Sequence, residues 1–77
     1  MKINLLSKAK SLGCEVYKNY FNEWTIEGLA KDETWLIQEQ KSSDTWLIIC
    51  EDIPLAYLNT EATIETLDSL TENQKSK

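Results

Sequence analysis

Asn22-Glu23-Trp24-Thr25-Ile26, Glu33-Thr34-Trp35-Leu36-Ile37 and Asp44-Thr45-Trp46-Leu47-Ile48 are three copies of one pattern, and their tryptophans stand eleven residues apart. About seven strand-forming residues followed by about four turn-forming ones is the period of an antiparallel meander. The repeat predicts strands at about Glu23 to Glu27, Glu33 to Gln40 and Thr45 to Glu51. They are joined by Gly28 to Asp32 and by the turn-forming run Lys41-Ser42-Ser43-Asp44.

The same repeat assigns faces, because residues opposite one another in an antiparallel pair keep a constant index sum. With Gln40 opposite Thr45, Ile37 faces Ile48 and Trp35 faces Cys50. A four-residue loop at Leu29 to Asp32 sets Trp24 opposite Ile37. Trp24, Trp35 and Trp46 then share a face with Ile26, Ile37, Ile48 and Cys50. The other face carries Glu23, Thr25, Glu27, Leu36, Gln38, Leu47, Ile49 and Glu51. Tryptophans at strand spacing on one face are the large side chains that a small core needs, at roughly 150 to 250 Å² of burial each.

Outward from the repeat, Leu5, Leu6, Ala9 and Leu12 recur at helical spacing, so residues 3 to 12 read as an amphipathic helix closed by Gly13. Cys14 to Asn19, with Val16 and Tyr17, suits a first strand, and Tyr20-Phe21-Asn22 is the turn into the second. The turn length leaves open whether Val16 or Tyr17 joins the tryptophan face. Pro54 has no N–H for a central strand, so it ends the fourth one or begins the connection that follows. Ile53 and Leu55 to Leu58 are too apolar for a solvated linker and are expected to pack under a second helix. That helix is capped by Asn59 or Thr60, with an apolar stripe of Ile64, Leu67 and Leu70. The expected fold is α+β: an N-terminal helix, a four-stranded antiparallel meander and a C-terminal helix, with both helices on the tryptophan face. A small, strongly bent barrel-like sheet with one helix plugging an end is the alternative. The domain is expected to span residues 1 to 72, with a disordered tail at 73 to 77.

Composition narrows the chemistry. The 77 residues include thirteen acids and eight lysines, no arginine and no histidine, for a net charge of -5. Without histidine, a Ser or Cys nucleophile has no imidazole base. Without arginine, there is no planar fork for phosphate or guanine, and the net charge opposes a nucleic-acid backbone. Cys14 and Cys50 are too few for a structural zinc site and read as free thiols, with a disulfide across the sheet as the alternative. Glycines occur only at positions 13 and 28, so no phosphate-cradling loop is present. The reading is therefore no enzyme, no metal, no cofactor and no nucleic-acid partner. No secretion-type core or membrane-length apolar run occurs, and the expected location is the cytoplasm.

Two features remain for a partner. Leu36, Leu47 and Ile49 form an aliphatic cluster on the face opposite the tryptophans, ringed by Glu23, Glu27, Gln38 and Glu51. If the helices cover only one face, this cluster meets solvent, as docking or homodimer surfaces do. In addition, residues 51 to 74 carry six acids and no base, and Glu61, Glu65, Asp68 and Glu72 lie along one stripe of the second helix. That stripe either faces Lys2, Lys8 and Lys10 of the first helix or forms a negative rail for a basic protein surface. The function expected is a small acidic protein-interaction module, an adaptor or inhibitor of a larger protein. A homo-oligomeric structural subunit is the alternative, and a ligand binder or enzyme using Glu39 and the cysteines is the third reading.

Overall fold

Gly13 ends the first helix by the hydrogen-bond pattern that only a left-handed residue permits. With φ of +90° it lets its own N–H reach the Lys10 carbonyl at 3.0 Å, while the Cys14 N–H reaches the Ala9 carbonyl at 3.0 Å. In the computed structural model, residues 2–30, 32–41 and 44–75 are described, with side chains of the last helix described through Thr71. Their order is α1 (Lys2–Ser11), β1 (Glu15–Lys18), β2 (Trp24–Glu27), β3 (Trp35–Glu39), β4 (Trp46–Cys50), β5 (Ile53–Leu58) and α2 (Thr60–Lys75). The strands form one antiparallel sheet in sequence order. The α+β class, the terminal helices and the meander are as expected.

The sheet has five strands where four were expected. Ile53 to Leu58 does not pack under α2 but pairs with β4, through a two-residue turn at Glu51 and Asp52. Both turn residues take positive φ, 53° and 68°. Such hairpins favour Asn-Gly, so the Glu-Asp pair gave no turn signal. Pro54 is accommodated because β5 is an edge strand and the ladder shifts register between Ile48 and Ile49.

The remaining registers divide. Gln40 N–H reaches the Thr45 carbonyl at 3.0 Å, and Ile37 faces Ile48 and Trp35 faces Cys50, as the repeat requires. Between β2 and β3, however, Ile37 faces Ile26 rather than Trp24. The connection is longer than four residues because Leu29 folds back into the core and the Thr34 N–H is held by the Glu51 carboxylate at 2.7 Å. A slip of two leaves the faces unchanged. In β1, Val16 faces Ile26 and Tyr17 faces Thr25, so Val16 joins the tryptophan face and Tyr17 the other. The Asn19 side chain sets that turn by accepting the Phe21 and Glu23 N–H groups.

Both helices cover the tryptophan face. Leu5, Leu6 and Ala9 of α1 and Leu67 of α2 are buried in one cluster with Ile26, Ile37, Trp46 and Ile48. Trp24 and Trp35 pack at its edge, half-buried. Fully burying one such aliphatic side chain contributes about 1.5–3 kcal/mol. The inner stripe of α2 also holds Thr60, Thr63 and Thr71. The Thr63 and Thr71 hydroxyls donate to the Asn59 and Leu67 carbonyls one turn back, which satisfies them in the apolar interior. Asn59 caps the helix by accepting the Ala62 N–H at 2.8 Å. The helix continues past the end expected at Glu72 to Lys75, while Ser76 and Lys77 of the expected tail lie outside the described residues. Cys14 and Cys50 are both free.

Trp46, 1% exposed, donates its indole N–H to the Thr60 hydroxyl at 3.0 Å. The Asp44 carboxylate in turn accepts the Thr60 N–H at 3.1 Å and the Thr60 hydroxyl. These bonds hold the Asp44 carboxyl below its usual value. Replacing Thr60 with valine keeps the shape but leaves the indole N–H unsatisfied. Thr60→Val is expected to cost about 1–3 kcal/mol in urea unfolding with an unchanged m-value, and a smaller loss would show that the bond is dispensable. In the β4–β5 turn, Asp52→Gly removes the penalty of a left-handed side chain. It is expected to stabilise by about 1 kcal/mol, and a thermal melt should show Tm rising by about 5 °C.

Candidate functional site

With both helices on one side, the second sheet face has no covering layer among the described residues. Its side chains fall into two cross-strand rows. One runs Glu15, Glu27, Leu36, Ile49, Pro54, and the other Tyr17, Thr25, Gln38, Leu47, Tyr57. The half over β1 and β2 is polar and internally bonded. The Tyr17 hydroxyl donates to Glu27, and the Gln38 and Asn19 amides both donate to Glu23 at 3.2 Å. The Glu27 bond, loss of hydration, and the charges of Glu27 and Glu15 push the Tyr17 phenol up to about 12.

The half over β3, β4 and β5 is apolar. Leu36, Leu47 and Ile49 are adjacent and only half-buried, so the structure brings the predicted aliphatic cluster together. Pro54 and Tyr57 extend it onto β5. On that strand Ile53, Leu55 and Tyr57 are 60%, 55% and 67% exposed. Their exposure departs from the expectation that they pack under α2. An uncharged run of six residues, Ile53-Pro54-Leu55-Ala56-Tyr57-Leu58, was the available signal. A further exposed aromatic pair, Tyr20 and Phe21, packs edge to face at the tip of the β1–β2 turn, with ring centroids 5.4 Å apart.

The acidic stripe is not part of this surface. Glu61 and Glu65 are exposed on α2, which lies over the opposite face. Asp68 turns toward α1 and pairs with Lys8 at 3.1 Å. The Glu72 side chain lies outside the described residues. Among the described side chains, neighbouring α1 thus compensates Asp68, by a solvent-exposed pair whose typical worth is about 0–1 kcal/mol.

Glu39 stands on the tryptophan face at the end of β3. It accepts the Lys2 ammonium at 2.6 Å and the Trp24 N–H at 3.1 Å, closing the open end of β2. Partial burial draws its carboxyl upward, but the Lys2 bond, the Trp24 N–H and the charges of Lys2 and Lys18 outweigh that and hold it below 4.5. It is a structural clasp between α1 and the sheet. Burial raises the Cys14 thiol. Lost hydration, with Glu33 and Glu51 nearby, raises that of Cys50. A shallow groove of about 240 Å³ lies beside Trp35, lined by Glu27, Gly28, Ala30, Asp32, Glu33 and Thr34. It is smaller than the roughly 300 Å³ at which ligand pockets begin. Among the described residues no cluster of metal-ligating side chains occurs, and no helix is long and apolar enough to cross a membrane.

The chain matches no protein-family model, no curated protein and no solved structure with which it was compared.

The Glu39 clasp carries a pH signature. A carboxyl held below its unfolded value contributes stability that is fully present above that value and is lost as pH falls through the folded one. Denaturant midpoints measured from neutral pH down through 4.5 should therefore fall less steeply for Glu39→Gln than for the parent chain. Parallel curves would show that the Lys2–Glu39 pair contributes nothing.

Proposed function

We propose that this chain is a small protein-interaction module, an adaptor or inhibitor of a larger protein rather than a catalyst, and that it docks through the uncovered half-face of β3, β4 and β5. The observation that supports this reading is the strip formed by Leu36, Leu47, Ile49 and Tyr57 on paired strands, on the face away from α1 and α2. Apolar surface gains about 25 cal/mol per Å² on leaving water, so a partner that covers the strip binds by desolvation. Glu27, Gln38 and Glu51 supply a polar rim, the usual arrangement of a docking patch.

The sheet face is preferred to the acidic stripe for two reasons. Asp68 already has a partner in Lys8, and Glu61 and Glu65 lie on the helix layer, away from the aliphatic strip. A flat partner surface would meet one or the other. The stripe then serves solubility and long-range orientation of a basic partner, not the contact itself.

The test is capture by the immobilised chain from lysate of its source, at low salt and at roughly 0.5 M salt, where screening shortens to a few Å. Retention through high salt is expected for the parent chain and for Glu61→Lys with Glu65→Lys, and loss for Leu47→Lys. Binding that survives Leu47→Lys, or that vanishes on charge reversal alone, would transfer the site to α2.

A further inference from the structure

We infer that the occupant of the uncovered half-face is one amphipathic helix of a partner protein, its apolar stripe on the strip over β3, β4 and β5 and lysine or arginine along its polar flanks. This rests on the docking reading above and names the chemistry of the partner that reading leaves open.

Width selects a helix. The apolar part of the face spans three neighbouring strands, about 10 Å from the first to the last. An α-helix with its side chains is about 10–12 Å across. Laid over β4, it meets Leu47 and Ile49 along its centre line, with Leu36 and Tyr57 to either side. Strands of five or six residues make the strip about 17–20 Å long, which a helix of about 12 residues spans. A second sheet would be wider and would also cover the half over β1 and β2. There the Tyr17 hydroxyl and the Asn19 and Gln38 amides already make their bonds to Glu27 and Glu23. Taking those carboxylates further from water is costly.

Charge selects basic flanks. Among the described residues of the strands, the charged ones on this face are Glu15 and Glu27. Glu23 joins them through its bond from Gln38, and Glu51 and Asp52 stand at the β4–β5 turn. The lysines of the strands and of the first helix with assigned contacts are on the covered side. Lys18 lies over the Trp24 ring, while Lys2 and Lys8 pair with Glu39 and Asp68. Lys41 shares the β3–β4 turn with Asp44, so that end carries one charge of each sign. A helix over β4 therefore meets Glu23 and Glu27 along one flank, and Glu51 and Asp52 at one end. An acidic helix there would set like charge against like. A second copy of this chain, at a net charge of -5, would do the same with its own acidic face. Opposite charge orients and speeds the encounter, while desolvation of the strip holds the complex, in keeping with the retention at high salt expected above.

The test uses three synthetic, fluorophore-labelled peptides of about 14 residues, titrated with the full chain and read by fluorescence anisotropy at roughly 0.15 M salt. The first has leucines at helical spacing and lysines elsewhere, the second the same leucines with glutamates, and the third the first peptide's residues with leucines at alternate positions. The first is expected to bind the parent chain about tenfold more tightly than either of the others. Leu47→Gln should weaken it several-fold. Glu27→Gln with Glu51→Gln should narrow the gap between the lysine and glutamate peptides, whereas Glu61→Gln with Glu65→Gln, an equal change of charge on α2, should not. The variants are compared with the parent by circular dichroism and thermal midpoint, so that lost binding is not lost folding. Equal binding of the lysine and glutamate peptides, both weakened by Leu47→Gln, overturns the inference and leaves the docking strip standing. Equal binding of the helical and alternating lysine peptides overturns the helix. Lysine-peptide binding that ignores Leu47→Gln and falls with Glu61→Gln and Glu65→Gln moves the contact to α2 and overturns both readings. No binding by any peptide overturns the basic helix as occupant, and the lysate capture then decides the docking reading on its own.

Discussion

One buried hydrogen bond, from the Trp46 indole to the Thr60 hydroxyl, fixes the relation between sheet and helices. An indole is too large to be left out of so small a core, and its N–H cannot be buried without an acceptor. The first residue of α2 supplies that acceptor, and Asp44 from the β3–β4 turn completes the link while placing a carboxylate at the helix N-terminus, where the dipole favours it. Once α2 starts over β4, its inner stripe meets α1, and Leu67 packs with Leu5 and Ala9 in one cluster. The choice of covered face, and so of open face, follows from where this side chain had to go.

The charge asymmetry of the chain has a similar internal logic. Two of the three lysines in α1 have partners elsewhere in the fold: Lys2 clasps Glu39 at the end of β3 and Lys8 meets Asp68 on α2. Neither pair is deeply buried, so neither contributes much stability. They do orient the short first helix against both the sheet and the second helix. A basic N-terminal segment and an acidic C-terminal one, read along the sequence, suggest an external partner. Folded, they are partly each other's partners, and only Glu61 and Glu65 remain as exposed members of the described stripe.

Much of this was legible in the sequence because an eleven-residue repeat constrains both strand positions and side-chain parity. Parity survives errors of two, which is why the faces were right although Ile26, not Trp24, opposes Ile37. The fifth strand was not legible, since its signals conflict. Glu51 and Asp52 make a turn that usually calls for Asn-Gly, and Pro54 argues against a strand unless the strand is known to lie at an edge. Edge position is a property of the whole sheet, not of six residues. The clustering of Leu36, Leu47 and Ile49 could be read because it needs only the register of β3 with β4. Its extension by Tyr57 could not, because it needs β5.

The bare condition of β5 is itself a consequence of the tryptophan bond. Only Asn59 separates the last strand from α2, so the helix must begin at the end of β5. A helix starting there could lie along β5 or turn inward across its neighbour. The acceptor that Trp46 requires draws Thr60 inward over β4, and Lys8 and Leu5 of α1 hold the rest of α2 on that course. Ala56 is exposed on the covered side for this reason, although its cross-strand neighbour Ile48 is buried. An uncharged edge strand with most of its side chains exposed is a liability for a solitary chain in water, and here only Leu58 is drawn into the core. Burying the indole well and leaving β5 uncovered are thus two results of one constraint.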